Sequence, residues 1–336
     1  LELLRAKTSC ILGFERLTGL DPLDRKLAPD ATACGILTTL ANVAGGTTMS
    51  RFMAFLVLLA GLLAPGVASA QVQKVLGGFV YTEGPVADGK GNLYFTDPKD
   101  GCGKIYRLDD SCRLSVFVEN SGRANGLKIN ALGEIVACQQ DGRVVAYRPD
   151  GLSCRVLTDC FRGRRYNAPN DLVIDAGGGI YFTDPGFGAP RPLPQRVAAV
   201  YYLAPTGEVT RLIDDLHGPN GIALSPDEKT LYVGASLQRH VMAYPIVAPG
   251  QVGAGRKFGR LAPSGIPLLP IGDGITVDTA GNVYVATMRG VQIFDPCGRL
   301  RDTIRVPERP SNLTFGGPDQ RTLFITAGHS LYAAKP

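Results

Sequence analysis

The chain has 336 residues, 45% of them hydrophobic, with 42 Gly, 24 Pro, 3 His and no Trp. That is enough apolar material for a large core, and so many turn formers beside Tyr and Phe predict short strands rather than long helices. The formal charge of +5 comes without a basic block or interleaved aromatics, which argues against a nucleic-acid surface.

The first Met is Met49. Met49-Ser50-Arg51 supplies a positive n-region, Phe52 to Leu63 an apolar run, and Ala68-Ser69-Ala70 a small-residue cleavage site before Gln71. These features together predict a signal peptide over 49–70. The apolar run, twelve residues long, is too short to span a bilayer. Residues 1–48 show no sustained period and read as upstream sequence or a disordered extension, which would leave Cys10 and Cys34 out of the mature chain. The mature part, 71–336, is then secreted or periplasmic, with no membrane association after cleavage. It keeps 29 Lys and Arg against 25 Asp and Glu, and six Cys. Export permits disulfides, and no C-x-x-C or zinc spacing occurs. Structural pairing is the default expectation, with Cys102–Cys138 as one such pair.

A repeat runs through 71–336. Six apolar triplets occur: Leu93-Tyr94-Phe95, Ile135-Val136-Ala137, Ile180-Tyr181-Phe182, Leu231-Tyr232-Val233, Val283-Tyr284-Val285 and Leu323-Phe324-Ile325. Ten or eleven residues before them stand Glu83, Asn125, Asn170, Asn220, Asp273 and Asn312, separated by 42, 45, 50, 53 and 39 residues. Each unit continues into a second pair of strands, as at Val200 to Leu203 and Val209 to Ile213. Four strands per repeat of this length predict an all-β, six-bladed β-propeller over 71–336. After Asn312 the chain has room for only three strands, so Val72 to Tyr81 is expected to close the last blade as an N-terminal strand and leave no open edge.

In a propeller the first strand of each blade lines the central channel, so the six repeat residues should form a ring at one mouth. All are oxygen donors, one Glu, one Asp and four Asn, which suits a hard divalent cation. Ca²⁺ fits best, with Mg²⁺ or Mn²⁺ as alternatives and Zn²⁺ disfavoured without His or Cys in the ring. Against this, Asn-Gly and Asp-Gly are ordinary turn residues, and Asn125 and Asn312 can be read that way. Turn chemistry does not explain Glu83 at the equivalent position.

Thr82-Glu83-Gly84-Pro85, Asn167-Ala168-Pro169-Asn170-Asp171, Pro219-Asn220-Gly221-Ile222, Asp273-Gly274-Ile275-Thr276-Val277-Asp278 and Phe315-Gly316-Gly317-Pro318-Asp319 together resemble the regucalcin/gluconolactonase/luciferin-regenerating-enzyme family. Tyr181-Phe182-Thr183-Asp184-Pro185 resembles its bacterial gluconolactonase branch in particular. The resemblance implies a six-bladed propeller with one divalent metal, usually Ca²⁺. It makes Glu83, Asn220 and Asp273 metal ligands, Asn170 a further ligand or substrate contact, and Asp273 the acid/base. It also implies a hydrolase with a sugar-type lactone as substrate; a monomer is expected. One departure stands out: some sugar-lactone members carry Arg two positions before the third-repeat Asn, where this chain has Ala168. Arg123, Arg164, Arg165 and Asn167 lie nearby in sequence and are the candidates to replace it. Asn125 and Arg123 are expected at the substrate.

Weaker signals complete the reading. His217, His240 and His329 fall on predicted loops at the ring face, and His217, three residues before Asn220, is the one placed to reach substrate. Ser236 follows Gly234-Ala235 without the second Gly of a nucleophile elbow, which disfavours a serine hydrolase. Gly101-Cys102-Gly103 is no dinucleotide loop. The rivals to a metal-dependent lactonase are a phosphotriester hydrolase on the same metal and a non-catalytic calcium-binding module; two carboxylates in the ring favour an enzyme. The exported protein is expected to begin at Gln71, which N-terminal sequencing checks; a start upstream of Met49 would contradict it.

Overall fold

The computed structural model describes residues 71–263 and 272–336; the extension over 1–48, the signal segment over 49–70, and Cys10 and Cys34 lie outside the described residues. Period-2 alternation of apolar residues produces four-stranded antiparallel blades. Blade I comprises Glu83–Ala87, Leu93–Asp97, Lys104–Leu108 and Leu114–Val118. Blade II comprises Ala124–Ile129, Ile135–Gln139, Arg143–Tyr147 and Cys154–Thr158. Blade III is Leu172–Ile174, Ile180–Asp184, Ala199–Leu203 and Val209–Ile213. Blade IV is Pro219–Leu224, Thr230–Ala235, His240–Ala248 and Arg256–Arg260, with the short strand Gln251–Val252 added to its third strand. Blade V is Gly272–Val277, Val283–Thr287, Gly290–Phe294 and Leu300–Ile304. Every predicted apolar triplet falls in a second strand.

Blade VI has three strands from the C-terminus, Pro310–Gly316, Thr322–Ala327 and Ser330–Ala334, and its fourth is Gln73–Gly77 from the N-terminus. The closing strand is shorter than the predicted Val72 to Tyr81 because the chain leaves the sheet at Gly78 and turns toward the channel. Val80 and Tyr81 donate their backbone N–H groups to the Asp97 carboxylate at 2.7 and 3.0 Å. Glu308 clasps the join, accepting hydrogen bonds from the Ser330 and Tyr332 hydroxyls and from the His329 N–H, with Lys74 Nζ at 3.5 Å.

The six first strands contact one another in cyclic order, and blade VI meets blade I. The apolar core is divided accordingly into six clusters, one between each pair of neighbouring blades. Phe95 and Leu93 of blade I pack with Phe324 and Leu331 of blade VI, where Val75 and Leu76 of the closing strand join them. The expected Cys102–Cys138 disulfide is not formed. Cys138 is buried on the second strand of blade II with Sγ 3.6 Å from the Asp171 carbonyl, Cys102 is exposed, and both are free thiols. Removing residues 71–78 strips Val75 and Leu76 from this seam and Val72 from the cluster between blades V and VI, and bares a sheet edge. Loss of a few kcal/mol lowers the melting temperature by on the order of 10 °C in a domain of this size; an unchanged transition in calorimetry would contradict the closure.

Candidate metal and lactone site

The first strands are bulged where they reach the channel. In blades I, II, IV and V the pairing register slips between Glu83 and Val86, Ala124 and Leu127, Pro219 and Ile222, and Gly272 and Ile275, and in blade VI between Pro310 and Asn312. A bulge re-aims a side chain and increases local twist. In blade III the ladder begins only at Leu172, so Asn170 lies just ahead of it. All six repeat residues end up equally withdrawn, each 4–6% exposed.

The glycines after four of them are not turn residues, which corrects the turn alternative for Asn125. A Cβ on Gly84 would strike the Asn125 carbonyl, on Gly126 the Asn170–Asp171 backbone, on Gly221 the Asp273 carbonyl, and on Gly274 the Asn312 side chain. Each glycine is the gap into which the next blade's ring residue fits, and Gly84 also has φ +38°. Hydroxyls fasten the same seam: Thr96 donates to the Asn125 carbonyl at 2.9 Å and Thr183 to the Asn220 carbonyl at 2.8 Å. Asp97 and Asp184 cap the lead-in segments, Asp184 accepting the Asn167 and Ala168 N–H groups at 2.9 and 2.7 Å. Burial pushes the Asp184 carboxyl up to about 6 despite those hydrogen bonds.

Glu83 and Asp273 sense each other's charge across this ring. Burial first, and then Asp273, holds the Glu83 carboxyl well above the usual carboxylate range; burial raises Asp273 too, while Arg309 and the Asn220 amide pull it back. Both Asp273 oxygens are engaged, Oδ1 by Asn220 Nδ2 at 2.8 Å and Oδ2 by Arg309 Nη2 at 3.1 Å. Asn220 Nδ2 also donates to Ser236 Oγ at 2.9 Å, and Ser236 donates to the Gly272 carbonyl, so this serine supports the ring. Asp171 is a third buried carboxyl, raised by burial and held by the Asn312 amide at 3.3 Å.

The donor chemistry fits a hard cation. Asn125 Oδ1 is buried without a hydrogen-bond partner, and the Asn170 side chain and Asn220 Oδ1 make no hydrogen bond among the described residues. Two carboxyls short of positive charge thus face amide oxygens short of donors, the set a Ca²⁺-like ion completes. Among the described residues no three His, Cys, Asp or Glu side chains form a metal cluster, so the case rests on amide oxygens beside Glu83 and Asp273.

The ring therefore gathers Glu83, Asn125, Asn170, Asn220, Asp273 and Asn312, but not every candidate. Arg123 turns outward to Asp141 at 2.8 Å. His217 is exposed and makes no hydrogen bond among the described residues, and His329 is bonded to the Phe79 and Val80 carbonyls. His240 opens the third strand of blade IV rather than lying on a loop. Ala168 and Asn167 are buried in backbone support, and Arg165 is spent on the Asp141 carbonyl at 2.8 Å. Sequence reasoning missed Arg309 and Asp171. Arg309 stands three residues before Asn312, the same offset that singled out His217 before Asn220.

A closed six-bladed propeller with an oxygen-donor ring at its centre defines the class. The family model for the SMP-30/Gluconolactonase/LRE-like region matches residues 81–329, and the chain belongs to that family. It is 30% identical over 329 residues to the gluconolactonase of Zymomonas mobilis, covering 90% of each chain. It superposes on a gluconolactonase structure from Xanthomonas campestris with a TM-score of 0.73 and 29% identity, covering 82% of this chain and 92% of that one. A calcium-binding regucalcin structure from Agrobacterium tumefaciens shares the fold, with a TM-score of 0.64 at 21% identity and coverage of 80% and 93%.

Gly221→Ala forces a methyl against the Asp273 and Gly274 backbone, which cannot yield as a side chain would, and should cost about 1–3 kcal/mol. Gly177→Ala, whose Cβ meets only the Asp175 carboxylate at 3.3 Å, should be near neutral. Chemical denaturation of the pair reads the difference.

Proposed function

We propose that the protein is an exported, monomeric lactone hydrolase that opens a sugar-type lactone on a divalent cation, Ca²⁺ in the first place. Glu83, Asn170, Asn220 and Asp273 hold the cation, and Asp273 is the acid/base. The observation that carries this reading is the buried Glu83–Asp273 pair amid amide oxygens without donors, in a chain whose relatives include named gluconolactonases. The n-region, apolar run and A-x-A site support export.

When bound, the cation supplies Lewis-acid polarisation of the lactone carbonyl and stabilises the charge developing on its oxygen. The remaining work falls to the chain. Arg309 is 38% exposed at its side chain, against 9% for Asp273, so it has room to swing from Oδ2 and free that oxygen for water. Asp273 takes a proton as water adds to the carbonyl carbon. The ring C–O bond then breaks, and the same proton passes to the departing ring oxygen, leaving a hydroxy acid. Asn220, fixed by Ser236, keeps the Asp273 carboxylate aimed through Oδ1.

Asn at position 273 keeps a coordinating oxygen but cannot accept a proton. Asp273→Asn should therefore lower kcat for an aldonolactone by about 10²–10⁴-fold under saturating Ca²⁺, with a smaller loss for Asn125→Ala. Near wild-type turnover of Asp273→Asn would make the residue a ligand only. Phosphotriesters assayed in parallel test the reaction class.

A further inference from the structure

Blade III carries two insertions on the face where the ring opens. One is 160–169, which leads into Asn170; the other is 185–198, which joins its second and third strands. Two buried amides weld them together. Gln195 Nε2 donates to the Phe161, Arg164 and Arg165 carbonyls at 3.3, 2.6 and 3.1 Å, and the Gln195 N–H donates to Asn167 Oδ1 at 2.9 Å. Asn167 Nδ2 in turn donates to the Val197 carbonyl at 2.9 Å. Arg196 is held in the left-handed region, with φ 65°, a conformation that a side-chain-bearing residue adopts only when its surroundings impose it.

The weld shapes a cavity of about 810 Å³ lined by Arg164, Arg191, Pro192, Leu193, Pro194 and Arg196. No carboxylate among the described residues lines it. Among the described residues none of the three arginine side chains has an ion pair or a hydrogen bond. Of the acids nearby, Asp141 pairs with Arg123, Asp214 lies 3.7 Å from Arg211, Asp184 accepts from the backbone of Asn167 and Ala168, and Asp159 has no ion pair among the described residues. The three guanidinium groups are exposed, so solvent screens their mutual repulsion, but round one hollow they set up a positive potential that favours an anion between them. Guanidinium forks match the oxygens of phosphate in a paired, charge-assisted geometry.

We propose that this cavity is an oxyanion subsite, taking phosphate or a similarly multivalent oxyanion. The oxyanion comes either free or as a substituent on the lactone. This goes beyond lactone hydrolysis, and its binding arm needs no turnover, so either reading can fail alone.

The test titrates the full chain with inorganic phosphate by calorimetry in cation-free buffer, then compares KM for a phosphorylated aldonolactone and its neutral counterpart. The double variant Arg191→Gln/Arg196→Gln is set against Arg299→Gln/Arg301→Gln, the same charge change on blade V. Saturable phosphate binding that weakens at least tenfold in the first variant and less than twofold in the second supports the subsite. A matching tenfold rise in KM confined to the phosphorylated lactone assigns the oxyanion to substrate; unmoved KM values for both lactones assign it to a free anion. No saturable binding by the wild type, or equal weakening in both double variants, overturns the proposal.

Discussion

Glu83 and Asp273 are buried in one channel, with the Arg309 guanidinium bonded to Asp273 alone, and the centre of the molecule is organised by the cost of keeping them there. Two carboxyl groups withdrawn from water resist ionising together, and each pushes the other's proton affinity up. The fold supplies partial remedies: the Asn220 amide and Arg309 on Asp273, and the Gly84 N–H on Glu83. It also brings up amide oxygens with no donors of their own, which worsens the deficit of positive charge unless a cation enters. An arrangement unfavourable to an empty channel is favourable to a divalent ion, and that inversion turns a structural seam into a candidate active site.

The seam itself depends on backbone proximity. Five of the six first strands bulge at or beside the ring residue, that of blade III starting only after Asn170, and glycine leaves room for the next blade at Gly84, Gly126, Gly221 and Gly274. Closure by the N-terminal strand then makes the ring continuous, and Glu308 ties that strand to blade VI beside Arg309. Stability and site geometry are therefore carried by adjacent residues.

Much of this was legible in the chain. The offset from each ring residue to its apolar triplet locates every second strand. The missing fourth strand of blade VI is legible as a count. The role of the Asn-Gly and Asp-Gly pairs was not, since a glycine needed for close approach is indistinguishable in sequence from one needed for a turn. Side-chain direction was equally hidden. Arg123 is two residues from Asn125 yet turns to Asp141, whereas Arg309, three from Asn312, turns inward to Asp273. Asp171 stands in a motif read for Asn170, and only the fold brings it beside Asn312 from the opposite side of the ring. The free Cys102 and Cys138 make the same point, because pairing depends on burial and direction that spacing does not encode.

The most direct measurement is calorimetric titration of the chelator-stripped protein with Ca²⁺ at about pH 6, in buffers of different ionisation enthalpy. The charge deficit at Glu83 and Asp273 predicts one ion bound per chain with net proton release, because the cation displaces protons that burial retains. No saturable binding of Ca²⁺, Mg²⁺, Mn²⁺ or Zn²⁺, or binding without proton release that survives Glu83→Gln/Asp273→Asn, would contradict the account.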